Sequence, residues 1–262
     1  MPPPDRGACV SGIWTLNPTI PNPEAVAGYI YSGPTAAHTY SSVFEDGEPD
    51  VFIILGPNHH GVGAETAVWR NGGWKTPFGV VKVDEKVADA LIGQSPDFKA
   101  DERAHKQEHS IEVQLPFLQF LFPNTKIVPI SIRSELGSQN RISELWEKSN
   151  EIGRTIANTL DSLDIDGLVI ASSDFTHFES ASSAFSKDHA AIDKIIKLDD
   201  EGFVQTVYTH YATICGYAPI ITSIAFAKER GATIGKLLKY TTSGDISGDN
   251  GHVVAYGSII FQ

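Results

Sequence analysis

Cysteine is scarce in this sequence: Cys9 and Cys215 are its only two. Two thiols make no disulfide framework, which points to a reducing compartment, the cytoplasm. Positive charge is also in deficit, with 20 Lys and Arg against 32 Asp and Glu for a formal net charge of -12. No basic cluster occurs anywhere along the chain, which argues against a nucleic-acid or anionic-membrane partner. No apolar run approaches the roughly 18 residues that a membrane helix needs. The opening Met-Pro-Pro-Pro-Asp-Arg lacks the apolar core of a signal peptide. Phosphate-loop signatures are missing too: no G-x-G-x-x-G follows a strand pattern and no G-K-[ST] occurs.

What is present is the pattern of an α/β protein. The chain has 262 residues, 41% hydrophobic and 20% charged, ordinary values for a globular protein. Residues 51–55, Val-Phe-Ile-Ile-Leu, form a continuous apolar run closed by Gly56-Pro57. That run predicts a strand buried on both faces. Residues 126–132, 167–171, 237–242 and 253–261 read as further strands. Helices are predicted over 35–44 with Pro34 at the first helical position, from an Asp84 cap to about residue 92, over 108–122 with a kink at Pro116, and over 138–163, 182–198, 201–211 and 219–230. Residues 66–69 and 80–83 read as a hairpin turning at Asn71-Gly-Gly73. Residues 1–25 hold six of the fifteen prolines and read as irregular. Strands alternating with helices imply a largely parallel sheet with helices on both faces. The expected organisation is one α/β domain over 27–262 after an irregular, shortened segment over 1–26.

In open α/β sheets chemistry collects just past the carboxyl ends of the strands. His59 and His60 stand there after the first strand. Asp174 and His177, spaced at i and i+3, follow another. Two imidazoles and a carboxylate suit iron(II) and other divalent metals and leave positions open for substrate. Cys215 precedes a helix, where partial positive charge collects, and can serve as a soft metal ligand or a nucleophile. Bland readings stand beside these. The two histidines can cap backbone groups in a loop, Asp174 can be a helix cap, and Cys215 can be an inert buried thiol. His109 and Glu112 share a helix face and can simply hydrogen-bond each other. His38, His105, His189, His210 and His252 fall on helix faces or loops and carry no functional expectation.

Five segments, taken together and in order, are recognisable: Ala27-Gly-Tyr-Ile-Tyr-Ser-Gly-Pro-Thr-Ala-Ala-His-Thr-Tyr40, Ile54-Leu-Gly-Pro-Asn-His-His-Gly61, Glu108-His-Ser-Ile-Glu-Val-Gln-Leu-Pro-Phe117, Ser172-Ser-Asp-Phe-Thr-His177 and Thr213-Ile-Cys-Gly216. From about residue 27 onward the chain resembles the Memo family, also called AmmeMemoRadiSam system protein B. The resemblance implies a fold like that of class III extradiol dioxygenases. It implies a pocket in which His59, Asp174, His177 and Cys215 match the family's site positions, and a bound iron or copper ion. Tyr29, His60, His109 and Glu112 are candidates for the pocket lining. One departure matters: where the family reads Pro-His-Ala-Gly-Tyr with the histidine a metal ligand, this chain reads Ala25-Val-Ala-Gly-Tyr29, so Val26 holds the ligand position. Ala8-Cys-Val-Ser-Gly-Ile-Trp14 resembles the family's opening motif, and only about a dozen residues separate it from the next one. The family places a helix and a strand there.

Three readings follow. In the first, His59 and Cys215 bind a divalent metal, iron before copper, while Asp174 and His177 act from the same pocket. The chemistry would then be oxidative and of a dioxygenase type. In the second, the same pocket is a non-catalytic module that holds a peptide or partner loop, with Trp14, Tyr29 and Tyr31 lining it; the partner expected of the protein is a small molecule or peptide. In the third, Cys215 is a nucleophile, with His177 as base and Asp174 as its orienter.

Overall fold

A computed structural model describes residues 8–11, 28–133 and 139–262. Val26, Trp14 and Ser138 lie outside those residues.

Strand β2 (Val51–Pro57) is buried at every position, as are β8 (Gly167–Ser172) and β11 (Val253–Phe261). In β7 (Lys126–Ile132) only the first residue is exposed. Successive side chains of a strand point to opposite faces, so complete burial means that both faces are covered. Strands β7, β2 and β8 run parallel in that order, with Leu55 opposite Ile130 on one side and Ala171 on the other. Next comes β1 (Ala8–Ser11), parallel to β8 and antiparallel to β11. Strand β10 (Gly235–Thr242) lies antiparallel beyond β11. On the opposite side β3 (Thr66–Val68) runs antiparallel to β7 and is followed by β6 (Phe98–Ala100). The sheet is therefore parallel from β7 through β2 and β8 to β1, with antiparallel pairs where β11 and β10 join on one side and where β3 joins β7 on the other.

Helix α1 (Tyr29–Asp46) packs on β10, β11 and β1, while α7 (Tyr217–Glu229) packs on β8, β1 and β2 and is backed by α4 (Gln139–Ser162). A Cβ at Gly153 of α4 would stand 2.4 Å from the Thr222 carbonyl, so this glycine permits the close crossing of the two helices. The apolar stripe expected of α4 is buried at Ile142, Ile152, Ile156 and Leu160. No helix among the described residues is long and apolar enough to cross a membrane.

Several local expectations change. Residues 8–11 are a strand in the middle of the sheet and not irregular. Helix α1 begins at Tyr29, leaving Pro34 inside it. The carbonyl that Pro34 leaves without an N–H belongs to Ile30, which is 73% exposed, so water can satisfy it. Residues 66–69 do not pair with 80–83. The hairpin is β4 (Gly73–Thr76) with β5 (Gly79–Val83), because β3 is taken into the sheet beside β7. The helix expected over 108–122 is only α3 (Leu115–Leu121), preceded by a 3₁₀ turn at Glu112–Gln114. Pro116 sits in its first turn, where the missing N–H costs nothing, so there is no kink. The Asp84 cap is confirmed: its carboxylate accepts the Val87 N–H at 3.1 Å and starts α2 (Glu85–Gln94).

Candidate active site

Because β2 and β8 are parallel neighbours, their carboxyl ends open at the same rim. His59 follows β2, Asp174 follows β8, and Cys215 sits on the segment that enters α7.

Glu108, 3% exposed, organises the first of these. Its carboxylate accepts the His59 backbone N–H at 2.8 Å and the His109 and Ser110 N–H groups at 3.0 Å each. It also accepts the His59 Nδ1–H, at 3.0 and 3.1 Å to its two oxygens. A carboxylate only accepts, so Nδ1 carries a hydrogen toward Glu108 and Nε2 lies on the far side of the ring. Cys215 stands close enough for its sulfur to act on the His59 ring. Burial disfavours the imidazolium, yet Cys215 and Glu108 outweigh it and push His59 up to about 10. Glu108 is depressed to about 2: burial would raise it, and the His59 ion pair and the N–H donors overcome that.

His177 is fixed in the same way. It opens the short strand β9 (His177–Glu179), which pairs with β11. Its backbone N–H donates to Thr213 Oγ1 at 2.7 Å, and its Nδ1–H donates to the Thr213 carbonyl at 2.7 Å. That turns Nε2 toward Asp174 Oδ2, 3.6 Å away. Burial lowers His177, but Asp174 and Cys215 raise it to about 9. Asp174 is 1% exposed, and burial raises its pKa against the pull of His177 and His59. Its backbone N–H donates to Cys215 Sγ at 3.2 Å. Ser173 Oγ accepts the Gly216 N–H at 2.9 Å, joining the loop after β8 to the start of α7. Behind this loop Asp188, on α5 (Ala181–Ile196), accepts the Thr176 N–H at 3.1 Å, the Thr176 hydroxyl at 2.6 Å and the Tyr240 hydroxyl at 2.8 Å.

Asp174 is joined to Cys215 by a hydrogen bond and to His177 by an ion pair, and His59 stands near enough for its charge to act on Asp174. The lining candidates behave differently. His109 Nδ1 and Glu112 Oε2 pair with each other at 3.1 Å, the first side chain 35% and the second 54% exposed. His60 is exposed and its Nε2 donates to the Gln107 carbonyl at 2.8 Å. Tyr29 donates to the Val113 carbonyl at 3.2 Å and lines an apolar groove between α1 and α3. The relay expected for a Cys215 nucleophile is not formed as such: among the described residues no hydrogen bond joins His177 to the sulfur, which takes the Asp174 N–H at 3.2 Å, and the charge of Cys215 acts on both His59 and His177. Glu108 escaped notice as a partner because it lies 49 residues from His59. Thr213 and Asp188 were unmarked for the same reason, and the only signal within reach was that Glu108 and Thr213 open two of the five recognisable segments.

A protein with this fold and this rim of histidine, aspartate and cysteine belongs to the class of α/β proteins whose site lies at the strand ends. The model of the family "Memo-like protein" matches residues 24–260, and the chain belongs to that family. It is 41% identical to a MEMO1 family protein of Methanobrevibacter smithii over 259 residues, covering 99% of this chain and 87% of the relative. It is 44% identical to one of Pyrobaculum aerophilum over 235 residues, covering 90% and 80%. In fold it is similar to the crystal structure of an uncharacterized protein of Escherichia coli K12, with a TM-score of 0.55 at 13% identity and coverage of 97% and 99%.

The donors present bear on a metal in two ways. Both imidazoles are anchored through Nδ1, the arrangement that orients a metal-ligating histidine, and Asp174 Oδ1 is buried without a partner among the described residues. Yet among the described residues no three His, Cys, Asp or Glu side chains stand together as a ligand set. The fit is to two donors, His59 Nε2 and Cys215 Sγ.

Proposed function

We propose that this Memo-family pocket binds a divalent metal, iron in the first place and copper as the alternative, through His59 and Cys215. The observation that carries the reading is the position of His59: Glu108 holds its Nδ1 at 3.0 Å, at the same rim as the Cys215 sulfur that takes the Asp174 N–H. Bound iron would supply redox chemistry of a dioxygenase type. The chain's own groups have separate tasks. Glu108 fixes the tautomer and orientation of His59. Asp174 and His177 share a proton beside the metal donors and serve as an acid–base pair toward a substrate. Thr213 keeps the His177 Nε2 aimed at Asp174. Two protein donors make a weaker site than three, because even a partner outside the ligand shell is worth ~10–100-fold in affinity. The test is an anaerobic iron(II) titration of the protein beside His59→Ala and Cys215→Ala. One saturable site that disappears in both variants supports the reading; identical curves for all three contradict it.

A second reading, a non-catalytic module for a peptide or partner loop, has its own support. The groove between α1 and α3, about 560 Å³, is lined by Tyr29, Tyr40, Phe44, Phe78, Phe117 and Phe120 among others and is almost wholly apolar. Such a volume lies within the range of ligand sites. This reading predicts a folded protein without metal that is indifferent to His59→Ala.

A further inference from the structure

Two buried polar atoms at the site have no hydrogen-bond partner among the described residues: Asp174 Oδ1 and the Tyr256 hydroxyl. Their residues are 1% and 0% exposed. Leaving such a group unpaired costs about 1–3 kcal/mol, so a pair of them at one place calls for an explanation.

They belong to the same place. Strand β11 runs along the Asp174 loop: the Phe175 N–H donates to the Ala255 carbonyl at 2.9 Å, and the Ala255 N–H donates to the Thr176 carbonyl at 3.0 Å. Val254 pairs with His177. Tyr256, next along the strand, shares its face with Val254, and both pack with Tyr31 apart from the main core. Burial raises the Tyr256 phenol, and the nearby Asp174 carboxylate raises it further. A Cβ at the neighbouring Gly257 would lie 2.4 Å from the Phe175 ring, so the strand and the loop are in tight contact and neither can swing its polar group away.

We propose that Tyr256 is a ligand-binding residue of this pocket and that, with Asp174, it recognises a hydroxyl group on a small organic molecule. The chemistry follows from the inventory. The phenol can donate and accept, and the carboxylate accepts or, when protonated, also donates. A ligand hydroxyl does both and completes both partners at once. An ether oxygen only accepts and can satisfy one of them. The remainder of the ligand meets an apolar surface: Phe178 lies beside the His177 ring, 5.7 Å between centroids, and is 57% exposed. Phe178 holds this position with φ of 59°, at the register shift where β9 meets β11. A left-handed conformation is costly for an aromatic residue and clusters at functional sites, and a bulge of this kind re-aims a side chain.

The proposal rests on the reading of this pocket as a ligand site but not on the metal. The test measures, by calorimetry on the purified full chain, the binding of benzyl alcohol and of benzyl methyl ether to the wild type and to Tyr256→Phe. Phenylalanine keeps the ring that packs on Val254 and Tyr31. The expected result is an alcohol preference of about three- to tenfold over the ether in the wild type, the worth of one hydrogen bond. That preference should disappear in Tyr256→Phe, with ether binding unchanged. Equal affinities for the two probes in the wild type, no binding of either, or an alcohol preference that survives Tyr256→Phe would each overturn it. The wild-type comparison decides the matter without any variant. Iron content measured on the same samples separates the two claims. A wild type that holds iron but shows no alcohol preference counts against the Tyr256 proposal alone, and one that shows the preference without iron counts against the metal alone.

Discussion

His59 Nδ1 stands 3.0 Å from Glu108 Oε2, and the His59 backbone N–H reaches the same oxygen at 2.8 Å. One buried carboxylate therefore sets both the main chain and the ring of the histidine that meets Cys215. Removing its charge while keeping its size isolates this role. Glu108→Gln keeps one acceptor oxygen where four donors converge. Iron(II) affinity should fall ~10–100-fold, read in the anaerobic titration, and stability should fall by about 1–3 kcal/mol. Unchanged affinity would show that Glu108 does not orient the metal donor.

Gly216, at the start of α7, packs directly against the loop after β8. A Cβ there would stand 2.5 Å from the Ser172 carbonyl oxygen and 2.5 Å from Ser173 Cβ. Backbone cannot give way as a flexible side chain does. Gly216→Ala should cost about 1–3 kcal/mol in urea unfolding and draw Cys215 away from the Asp174 N–H. A variant as stable as the parent, with the same iron stoichiometry, would contradict this close packing.

His105 supplies a pH dependence away from the site. It is buried, its Nε2–H donates to the Ala67 carbonyl at 3.1 Å, and the Trp69 and Trp74 rings meet it edge-on. Burial depresses it to about 4, against an ordinary 6.5. The unfolded chain takes up this proton first, so His105 contributes stability that is complete above pH 6.5. That contribution is lost as the pH falls from 6.5 toward 4, by roughly 3 kcal/mol in all. The difference in unfolding free energy between the parent and His105→Gln, measured from pH 7 to 4, should shrink by that amount. A constant difference would refute the assignment.

Much of the fold was legible because it is written locally. The all-apolar runs of β2, β7 and β8 and the helical stripe of α4 each lie within one element, where periodicity speaks directly. The centre of the sheet was harder. Residues 8–11 form four residues of strand beside β8 and β11, with no run long enough to stand out among the prolines. The hairpin was misassigned because the Asn71-Gly pair is strong turn chemistry wherever the strands go, and pairing with β7 is a tertiary choice. The placement of His59, Asp174, His177 and Cys215 at one rim was legible through the strand ends they follow and the family resemblance. Glu108 and Tyr256 were not, since their partners come from elsewhere in the chain and only folding brings them within reach.

Asp188 tests the support behind the loop. Three donors end on its carboxylate, two from Thr176 and one from Tyr240. Asp188→Ala leaves all three without an acceptor in a buried place and should cost roughly 3 kcal/mol. Asp188→Asn, which keeps one acceptor oxygen, should cost less. Equal losses in chemical denaturation would mean that packing volume rather than hydrogen bonding sets the effect.

The central claim is that His59 and Cys215 hold a metal without the histidine that Val26 replaces. The direct measurement is the metal content of protein purified without oxygen, beside His59→Ala and Cys215→Ala. The account predicts close to one iron or copper per chain, lost in both variants while their folds persist. A folded native protein that holds no metal even after anaerobic loading with iron(II), or a metal content that survives both substitutions, would contradict it.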